Sequence, residues 1–369
     1  MRKPHRSDDN ALLDRIVDGG LLFFTPTYVR RIYAGGGRLG LRRLWPERWI
    51  ASTVPALNPH PRPAEGESHL ATPGRARVTF RQALEQRGDR ILGSEYAAAD
   101  GATFPVLVKI LDPAEPIAFH FHATDADVRR HPRRFPGQRW GKDEAYYFLP
   151  APAGPVPYTH VGLHPGVTRR DLATAVARGT VIELSPAFHQ RAGEGFYVPA
   201  GIPHRPGTAL TLEIQQPSDV YTLLEHPGGR RRLSPDELHP GFASVDETLG
   251  LIDYRASSDP HLLERNRLLP EPIHGTRSRG GEETWIFPPR LRKFSGKRLI
   301  VRTRFESVET GPYVLFVWKG RGRLMQQRLL PGDEALVTAE AARRPHLFAA
   351  DGAPLEVFKF FPPARRRRP

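Results

Sequence analysis

Short apolar segments separated by turn residues dominate this chain from position 104 onward. FPVLVKILD (104–112), GKDEAYYFL (141–149) and GFYVPAGIPH (195–204) have the length and the β-branched and aromatic content of strands, and turn residues bound them. A second series of strand-like segments begins near Trp285 and ends with FKFFPP at 358–363. The pattern predicts a mainly β protein with two β-sandwich (jelly-roll) barrels.

Helical periodicity is limited to a few short segments, each introduced by a side chain that can cap a helix. We expect three such helices in the chain: one from Thr79 to a stop at Gly88, one from Thr168 to Gly179, and one after Ser244, where Glu247 completes a capping box. The fold class expected is therefore mainly β with a few short helices.

Changes in composition along the chain predict five regions. These are an N-terminal extension (1–20), a first barrel (21–225), a helical and turn-rich connection (226–280), a second barrel (281–364) and a basic tail (365–369).

A candidate metal site lies along the strands of the first barrel. His120 and His122 form an H-x-H, and because alternate residues of a strand point to the same face, both imidazoles can bind one ion. Glu144 on the next predicted strand can lie beside them, and His204 follows a P-x-G-x-P-H turn. A set of nitrogen and oxygen ligands without sulfur suits Zn²⁺, Mn²⁺, Fe²⁺ or Ni²⁺.

Each of these residues also has an interpretation without a metal. The two strand histidines can be satisfied by backbone partners, Glu144 can form an ion pair at a strand edge, and His204 can cap a loop. The occurrence of all four in order favours the metal site. The second barrel contains only His346, without an H-x-H, and we expect it to be a degenerate barrel that holds no metal.

The composition of the 369 residues is typical of a globular protein. The absence of cysteine excludes disulfides and thiolate ligands and agrees with a reducing cytoplasm. No segment has the length and hydropathy of a signal peptide or a membrane span, so a cytoplasmic protein is expected.

The net charge of +14 raises the question of nucleic-acid binding. The excess is mainly scattered arginine, with one cluster at 365–368, and aromatic residues are not interleaved with it as a base-stacking surface requires. We therefore interpret the charge as solvated surface and tail. Lysine is rare, which singles out Lys109 and Lys142 as groups whose pKa burial can change, although both can also be ordinary strand-edge lysines.

Several sequence blocks in order carry a family resemblance. They are FFTPTYVRRIYAGG, ERWIAST, FPVLVKILD, HFHATD, GKDEAYYFL, GFYVPAGIPH, LEIQQPSD, VWKGRGRL, PGDEALV and FKFFPP. Together they resemble the class I (type I) mannose-6-phosphate isomerase family in its short bacterial form. The resemblance implies a double cupin with a zinc site in the first barrel. It also implies aldose–ketose isomerisation of a sugar phosphate, mannose 6-phosphate to fructose 6-phosphate.

The resemblance assigns roles to individual residues. His122, Glu144 and His204 match the family's metal ligands, and matching pocket positions are Glu47, Lys109, Lys142 and Glu213. Three positions depart from the family pattern: His120 stands in place of glutamine, Ala118 in place of serine and Leu223 in place of arginine. The last two changes concern the phosphate end of the substrate.

Isomerisation requires that a proton be removed from a carbon beside a carbonyl. We expect Glu213 to be the proton-transfer base, with Lys142 and Lys109 neutralising the developing negative charge; Glu213 can alternatively be only an ion-pair partner for a lysine. The expected substrate-binding residues are Glu47, Arg205 and Tyr221. Arg205 and the basic loop at 129–142 can replace the missing phosphate arginine, or can face solvent.

The expected cofactor is Zn²⁺, with Mn²⁺, Fe²⁺ or Ni²⁺ as alternatives. The alternative functions are isomerisation of an unphosphorylated or acidic sugar, or a non-isomerase metal cupin that acts as a dioxygenase or a sugar sensor. The expected partner is a small sugar or sugar phosphate, and the oligomeric state is left open.

Overall fold

The computed structural model describes residues 6–38, 45–58, 61–72, 78–151, 153–226, 233–239, 241–278 and 280–365. Its α-helices are α1 (Arg6–Asp18), α2 (Phe80–Leu92), α3 (Ser94–Asp100), α4 (Asp125–Arg130), α5 (Arg169–Arg178), α6 (Pro235–Leu238), α7 (Val245–Leu249), α8 (Tyr254–Ser257), α9 (Leu262–Asn266) and α10 (Ala339–Arg343). Two 3₁₀ turns lie at Val181–Leu184 and Pro289–Leu291.

The strands fall into two series along the chain. The first series is β1 (Leu21–Phe23), β2 (Thr27–Val29), β3 (Glu47–Ile50), β4 (Leu107–Leu111), β5 (His120–Phe121), β6 (Glu144–Phe148), β7 (Tyr158–Val161), β8 (Ala187–His189), β9 (Gly195–Val198), β10 (His204–Arg205), β11 (Thr211–Gln215), β12 (Thr222–Leu223) and β13 (Arg267–Leu268). The second is β14 (Glu271–Pro272), β15 (Gly281–Phe287), β16 (Ser295–Val301), β17 (Arg304–Ser307), β18 (Tyr313–Lys319), β19 (Gly322–Leu324), β20 (Gln327–Leu329), β21 (Glu334–Val337), β22 (His346–Ala350) and β23 (Leu355–Phe361).

Each half of the molecule pairs a large antiparallel sheet with a smaller one. Within the described residues, the first half has a seven-stranded sheet in the order β13-β9-β6-β11-β4-β3-β2 and a five-stranded sheet in the order β12-β5-β10-β7-β8. The second half has a seven-stranded sheet, β1-β21-β18-β23-β16-β15-β14, and a four-stranded sheet, β17-β22-β19-β20. The predicted mainly β fold is confirmed.

Apolar side chains fill two kinds of interface. In the second half, residues of the large sheet such as Val357 pack against residues of the small sheet such as Phe348, which is the inner core of a sandwich. A further cluster joins the outer faces of the two large sheets, where the rings of Tyr147 and Phe358 lie 5.7 Å apart. The two halves therefore share one apolar layer between their large sheets.

Two of the predicted helices begin at the expected capping residue, and one of these two also ends at the expected glycine. The Thr168 side chain accepts from the Asp171 amide and α5 ends at Gly179, and the Ser244 side chain accepts from the Glu247 amide. The predicted stop at Gly88 is wrong, because α2 begins after Thr79 but continues to Leu92 through a kink at Arg87. The completely buried Leu92 belongs to the shared apolar layer, and this packing outweighs the low helix propensity of glycine.

Pairing at the chain ends crosses between the halves. β1, at the start of the region predicted to be the first barrel, pairs with β21 and completes the large sheet of the second half. At the other end, Arg365 forms an ion pair with the buried Asp100, 2.7 Å away, while residues 366–369 lie outside the described part of the chain. The described helices are all too short or too polar to cross a membrane.

Candidate active site

The four predicted metal ligands converge at one point inside the first half. One ligand atom from each of His120, His122, Glu144 and His204 lies within 4.8 Å of the others, and all four side chains are buried. The convergence follows from the strand register, because His204 on β10 lies directly opposite His120 on β5. Glu144 begins β6, in the facing large sheet.

Backbone carbonyl groups fix the orientation of all three imidazoles. The Nδ1 atoms of His120, His122 and His204 lie 2.6, 2.8 and 3.0 Å from the carbonyl oxygens of Ala118, Val220 and Ile202 respectively. Because a carbonyl oxygen only accepts hydrogen bonds, each Nδ1 carries the proton. The Nε2 atoms therefore carry the lone pairs that ligation requires, and that of His122 lies 3.1 Å from the Lys142 ammonium.

Electrostatics keeps these groups in the protonation states that bind a cation. Burial and the neighbouring Lys142 ammonium lower the pKa of His122 to about 3, and burial holds the pKa of His120 well below its ordinary value. Burial opposes ionisation of Glu144, but Lys142 and the neighbouring histidines outweigh it and hold its pKa well below the usual range. The site therefore offers the neutral imidazoles of His120 and His122 and the carboxylate of Glu144.

Two atoms at the centre approach each other without forming hydrogen bonds. His204 Nε2 lies 2.9 Å from Glu144 Oε1 yet makes no hydrogen bond, whereas Glu144 Oε2 forms an ion pair with the Lys142 ammonium, 2.9 Å away. The Tyr146 hydroxyl donates to Glu144 Oε1 and holds the carboxylate in place. A buried polar atom without a partner is costly, and a divalent cation would satisfy the His204 Nε2 atom while being bound by the Glu144 carboxylate, so these residues fit a metal ion.

Three of the four cluster residues, His120, His122 and Glu144, line a cavity of about 90 Å³. The cavity is lined by four carboxyl groups and three cationic groups: Glu47, Glu144, Glu213, Asp219, Arg31, Lys109 and Lys142. With neutral histidines the lining has one excess negative charge, which a divalent cation more than offsets. The excess negative charge of the lining is a second indication that the cavity accommodates a cation.

Glu213 lies on β11 opposite Lys109 on β4. Its Oε1 atom is 3.5 Å from Lys109 Nζ and 3.9 Å from Lys142 Nζ, but makes no hydrogen bond and faces the cavity. Burial raises the pKa of Glu213, although Lys109 partly counteracts it. A carboxyl group so placed is able to exchange a proton with a molecule in the cavity.

The sequence analysis missed an ion-pair network on the opposite wall. The Arg31 Nε atom lies 2.8 Å from Glu47 Oε1, its Nη2 atom lies 2.7 Å from Asp219 Oδ1, and its Nη1 atom donates to Asn58. Glu47 also accepts from the Trp49 indole and the Tyr33 hydroxyl. Arg31 lies in the segment VRRIY, but arginine is so common in this chain that the sequence did not single out Arg31 as a functional residue.

The predicted substrate-binding residues occupy different places. Glu47 and Tyr221 line the cavity. Arg205 is not among the described residues that line the cavity, and its guanidinium instead pairs with Glu225, 3.0 Å away. The described arginines of the basic loop are also absent from the lining; Arg134, for example, pairs with Glu247.

The end of the cavity beside His120 is apolar. Leu223 on β12 lies directly opposite His120 on β5, and it packs with Ala118 and Leu233. Leu223 and Ala118, which replace the family's arginine and serine, both line the cavity. The two departures therefore meet at one place and change its character from polar to apolar.

Comparison with curated proteins identifies relatives over part of the chain. The mannose-6-phosphate isomerase ManA of Bacillus subtilis is 31% identical over 176 residues, which are 47% of this chain and 52% of the relative. The mannose-6-phosphate isomerase of Streptococcus mutans is 29% identical over 126 residues, or 34% and 37% of the two chains. The matches thus span about half or less of these relatives. No family model matches the sequence.

Solved structures match over almost the whole chain. The mannose 6-phosphate isomerase from Bacillus subtilis superposes with a TM-score of 0.70 at 19% identity, covering 92% of this chain and 99% of that one. A zinc-bound mannose 6-phosphate isomerase has a TM-score of 0.67 at 14% identity, covering 94% and 100%. The resemblance to the type I mannose-6-phosphate isomerase family is confirmed.

The fold of the mannose-6-phosphate isomerases thus brings together the residues that the family resemblance selected. His120, His122, Glu144, both lysines and both matched glutamates, Glu47 and Glu213, line one cavity, and His204 joins the ligand cluster behind them. His120 joins the ligand cluster although the family pattern has glutamine there.

Proposed function

We propose that this chain is a metal-dependent aldose–ketose isomerase of the mannose-6-phosphate isomerase type. The observation that carries the proposal is a cluster of four metal-binding residues, three of which share one cavity with the Glu213 carboxyl oxygen that makes no hydrogen bond. Sequence similarity to mannose-6-phosphate isomerases over about half their length supports the same activity.

The metal cluster and the carboxyl group have complementary tasks. A divalent ion, when bound, polarises the carbonyl and hydroxyl oxygens of the sugar and so acidifies the adjacent C–H bond. Glu213 removes the proton from the carbon beside the carbonyl and returns it to the carbonyl carbon, while the proton of the adjacent hydroxyl passes to the former carbonyl oxygen. The bond changes balance within the sugar, so no oxidant or reductant is consumed.

Lys109 and Lys142 supply positive charge at the same place. Burial opposes the charge of Lys142, but Glu144, Glu213 and Asp219 outweigh burial and raise its pKa, so the ammonium persists at neutral pH. Both ammonium groups lie within 4 Å of Glu213 Oε1. In a water-poor cavity they stabilise the negative charge that develops on the substrate oxygens.

Zinc is the proposed metal. Three imidazoles and one carboxylate suit Zn²⁺, and a zinc-bound mannose 6-phosphate isomerase has the same fold. Mn²⁺, Fe²⁺ and Ni²⁺ accept the same ligands. The proposed location of the enzyme is the cytoplasm.

Metal analysis combined with an isomerase assay tests the proposal. We expect about one Zn²⁺ per chain, formation of fructose 6-phosphate from mannose 6-phosphate, loss of activity with a chelator and recovery with Zn²⁺. Bound iron together with substrate-dependent oxygen consumption would instead indicate the dioxygenase alternative. Bound metal and sugar without turnover would indicate a sensor.

One observation favours an unphosphorylated aldose as a second candidate substrate. The described cavity end formed by Ala118 and Leu223 is apolar, and the described cationic groups of the lining are already opposed by carboxylates. A phosphate dianion placed there would lose hydration without a bidentate partner. Parallel assays with mannose and mannose 6-phosphate decide between the two substrates through the ratio of their kcat/KM values.

A further inference from the structure

A buried cluster of charged residues lies inside the second half of the molecule, where the sequence indicated no site. The Lys359 ammonium contacts Glu283 Oε1 and Ser307 Oγ, both at 2.6 Å, and Glu309 Oε1 at 3.1 Å. Lys297 bonds to the same two carboxylates at 3.2 and 2.8 Å. Two ammonium groups thus face two carboxylates, and Lys359 is completely buried.

Part of this cluster repeats an arrangement of the first half. In both halves a tryptophan lies directly opposite a lysine on the next strand, the ammonium lies 5.0 Å from the ring centroid, and a glutamate precedes the tryptophan by two residues. The equivalent positions are Glu47 and Glu283, Trp49 and Trp285, and Lys109 and Lys297.

The repeat extends to the metal ligands on β10 and β6. His204 and His346 each follow a proline, and each places its Nδ1 atom near the carbonyl oxygen two residues earlier, at 3.0 and 2.9 Å. His204 Nε2 approaches Glu144, whereas His346 Nε2 lies 2.7 Å from the Tyr313 hydroxyl. Glu144 and Tyr313 occupy the same position, each beginning its strand.

The remaining two ligands follow from the strand register. His120 lies opposite His204, and Ser307 lies opposite His346. His122 and Glu309 are each two residues further along the chain. The ligand positions His120, His122, Glu144 and His204 therefore correspond to Ser307, Glu309, Tyr313 and His346.

We propose that the second half contains an internal copy of the metal site in which the Lys359 ammonium takes the place of the ion. The ammonium contacts two of the four copied ligand positions, Ser307 and Glu309, and lies 5.3 Å from the centroid of the Tyr313 ring at a third. Lys359 itself corresponds to Glu213, because Lys109 lies opposite Glu213 and Lys297 lies opposite Lys359.

The presence of an ammonium group in place of a metal ion has a physical reason. Three hydrogen bonds use all three donors of an ammonium group, and here they end on one hydroxyl and two carboxylates. A divalent cation would have to displace this ammonium from all three acceptors, and Lys297 would still compete for the same two carboxylates. The second half therefore excludes metal and lacks a proton-transfer base, and the inference goes beyond the proposed function of the first half.

Restoring the ligands and removing the ammonium tests this assignment in the full chain. The two substitutions E283Q and K359S remove one negative and one positive charge, so the net charge of the cluster does not change. The third substitution, S307H, introduces an imidazole at the position equivalent to His120. We expect the triple variant to bind one Co²⁺ more per chain than the wild-type protein, with a tetrahedral absorption spectrum. The matched control, S307H/E283Q, keeps Lys359 and is expected to bind no additional Co²⁺.

The other possible results of this experiment each support or contradict the assignment. Equal Co²⁺ binding by the triple variant and its control would overturn the assignment, as would an additional ion in the control. If the triple variant unfolds, it is refolded from urea with and without Co²⁺: recovery only with Co²⁺ supports the copied site, and recovery in neither condition counts against it. A failure of the first-half metal site is seen separately, as zero Co²⁺ in the wild-type protein.

Discussion

Replacing Arg31 with methionine is the most informative perturbation of the cavity wall. Met has similar length and no charge, so the change removes the guanidinium and leaves Glu47 and Asp219 buried with one cation, Lys109, at 3.9 and 3.6 Å. The Arg31 side chain is only 10% exposed, so solvent cannot replace it. Removing one partner of a buried ion pair costs about 3–5 kcal/mol, and we expect a loss of unfolding free energy in that range.

The loss should depend on pH in a defined direction. Burial raises the pKa of Glu47 and Asp219, but Arg31 outweighs it and holds both pKa values below their ordinary range. Such groups stabilise the folded state above the unfolded pKa of about 4, and this contribution is lost as the pH falls through the folded pKa. The difference between the wild-type protein and the variant should therefore be largest near neutral pH and shrink on acidification.

Urea unfolding followed by tryptophan fluorescence at fixed metal concentration measures both effects. Arg205→Met is the matched control, because Arg205 also pairs with a glutamate but is 24% exposed, and we expect it to cost about 1 kcal/mol or less. If Arg31→Met costs no more than this control, or costs the same at every pH, then the Arg31 network does not hold the cavity wall together.

The other predictions concern the metal, the base and the substrate. His122→Ala should remove most of the bound metal while the circular dichroism spectrum is kept, and full metal retention would contradict the ligand assignment. His120→Gln, which restores the family residue, should keep a bound ion and measurable activity, and complete metal loss would show a differently organised site. Glu213→Gln should lower kcat by about 10²–10⁴-fold with unchanged metal content, and a kcat near that of the wild-type protein would mean that Glu213 is only an ion-pair partner. Leu223→Arg should raise kcat/KM for mannose 6-phosphate relative to mannose, and an unchanged ratio would show that this end of the cavity does not contact the phosphate.

Local sequence pattern was enough to predict the metal ligands because their spacing follows from strand geometry. In extended backbone an H-x-H places two imidazoles on one face, and His120 and His122 do converge with Glu144 and His204. Arg31 had no comparable signal. Its partner Asp219 lies 188 residues away, and the sheets that bring the two together are assembled by the whole fold.

The charged cluster of the second half shows a different limit of sequence reading. Each ligand position there except His346 has changed residue type, so a search for a histidine cluster finds a single histidine. What persists is the strand register and the tryptophan–lysine pair, which are visible only when the two large sheets are compared strand by strand. The position shared by Glu213 and Lys359 carries charges of opposite sign in the two halves, so the first half has a carboxyl group where the second has an ammonium counterion. Two halves with the same strand order can thus hold opposite kinds of site, one that attracts a cation and one that supplies its own.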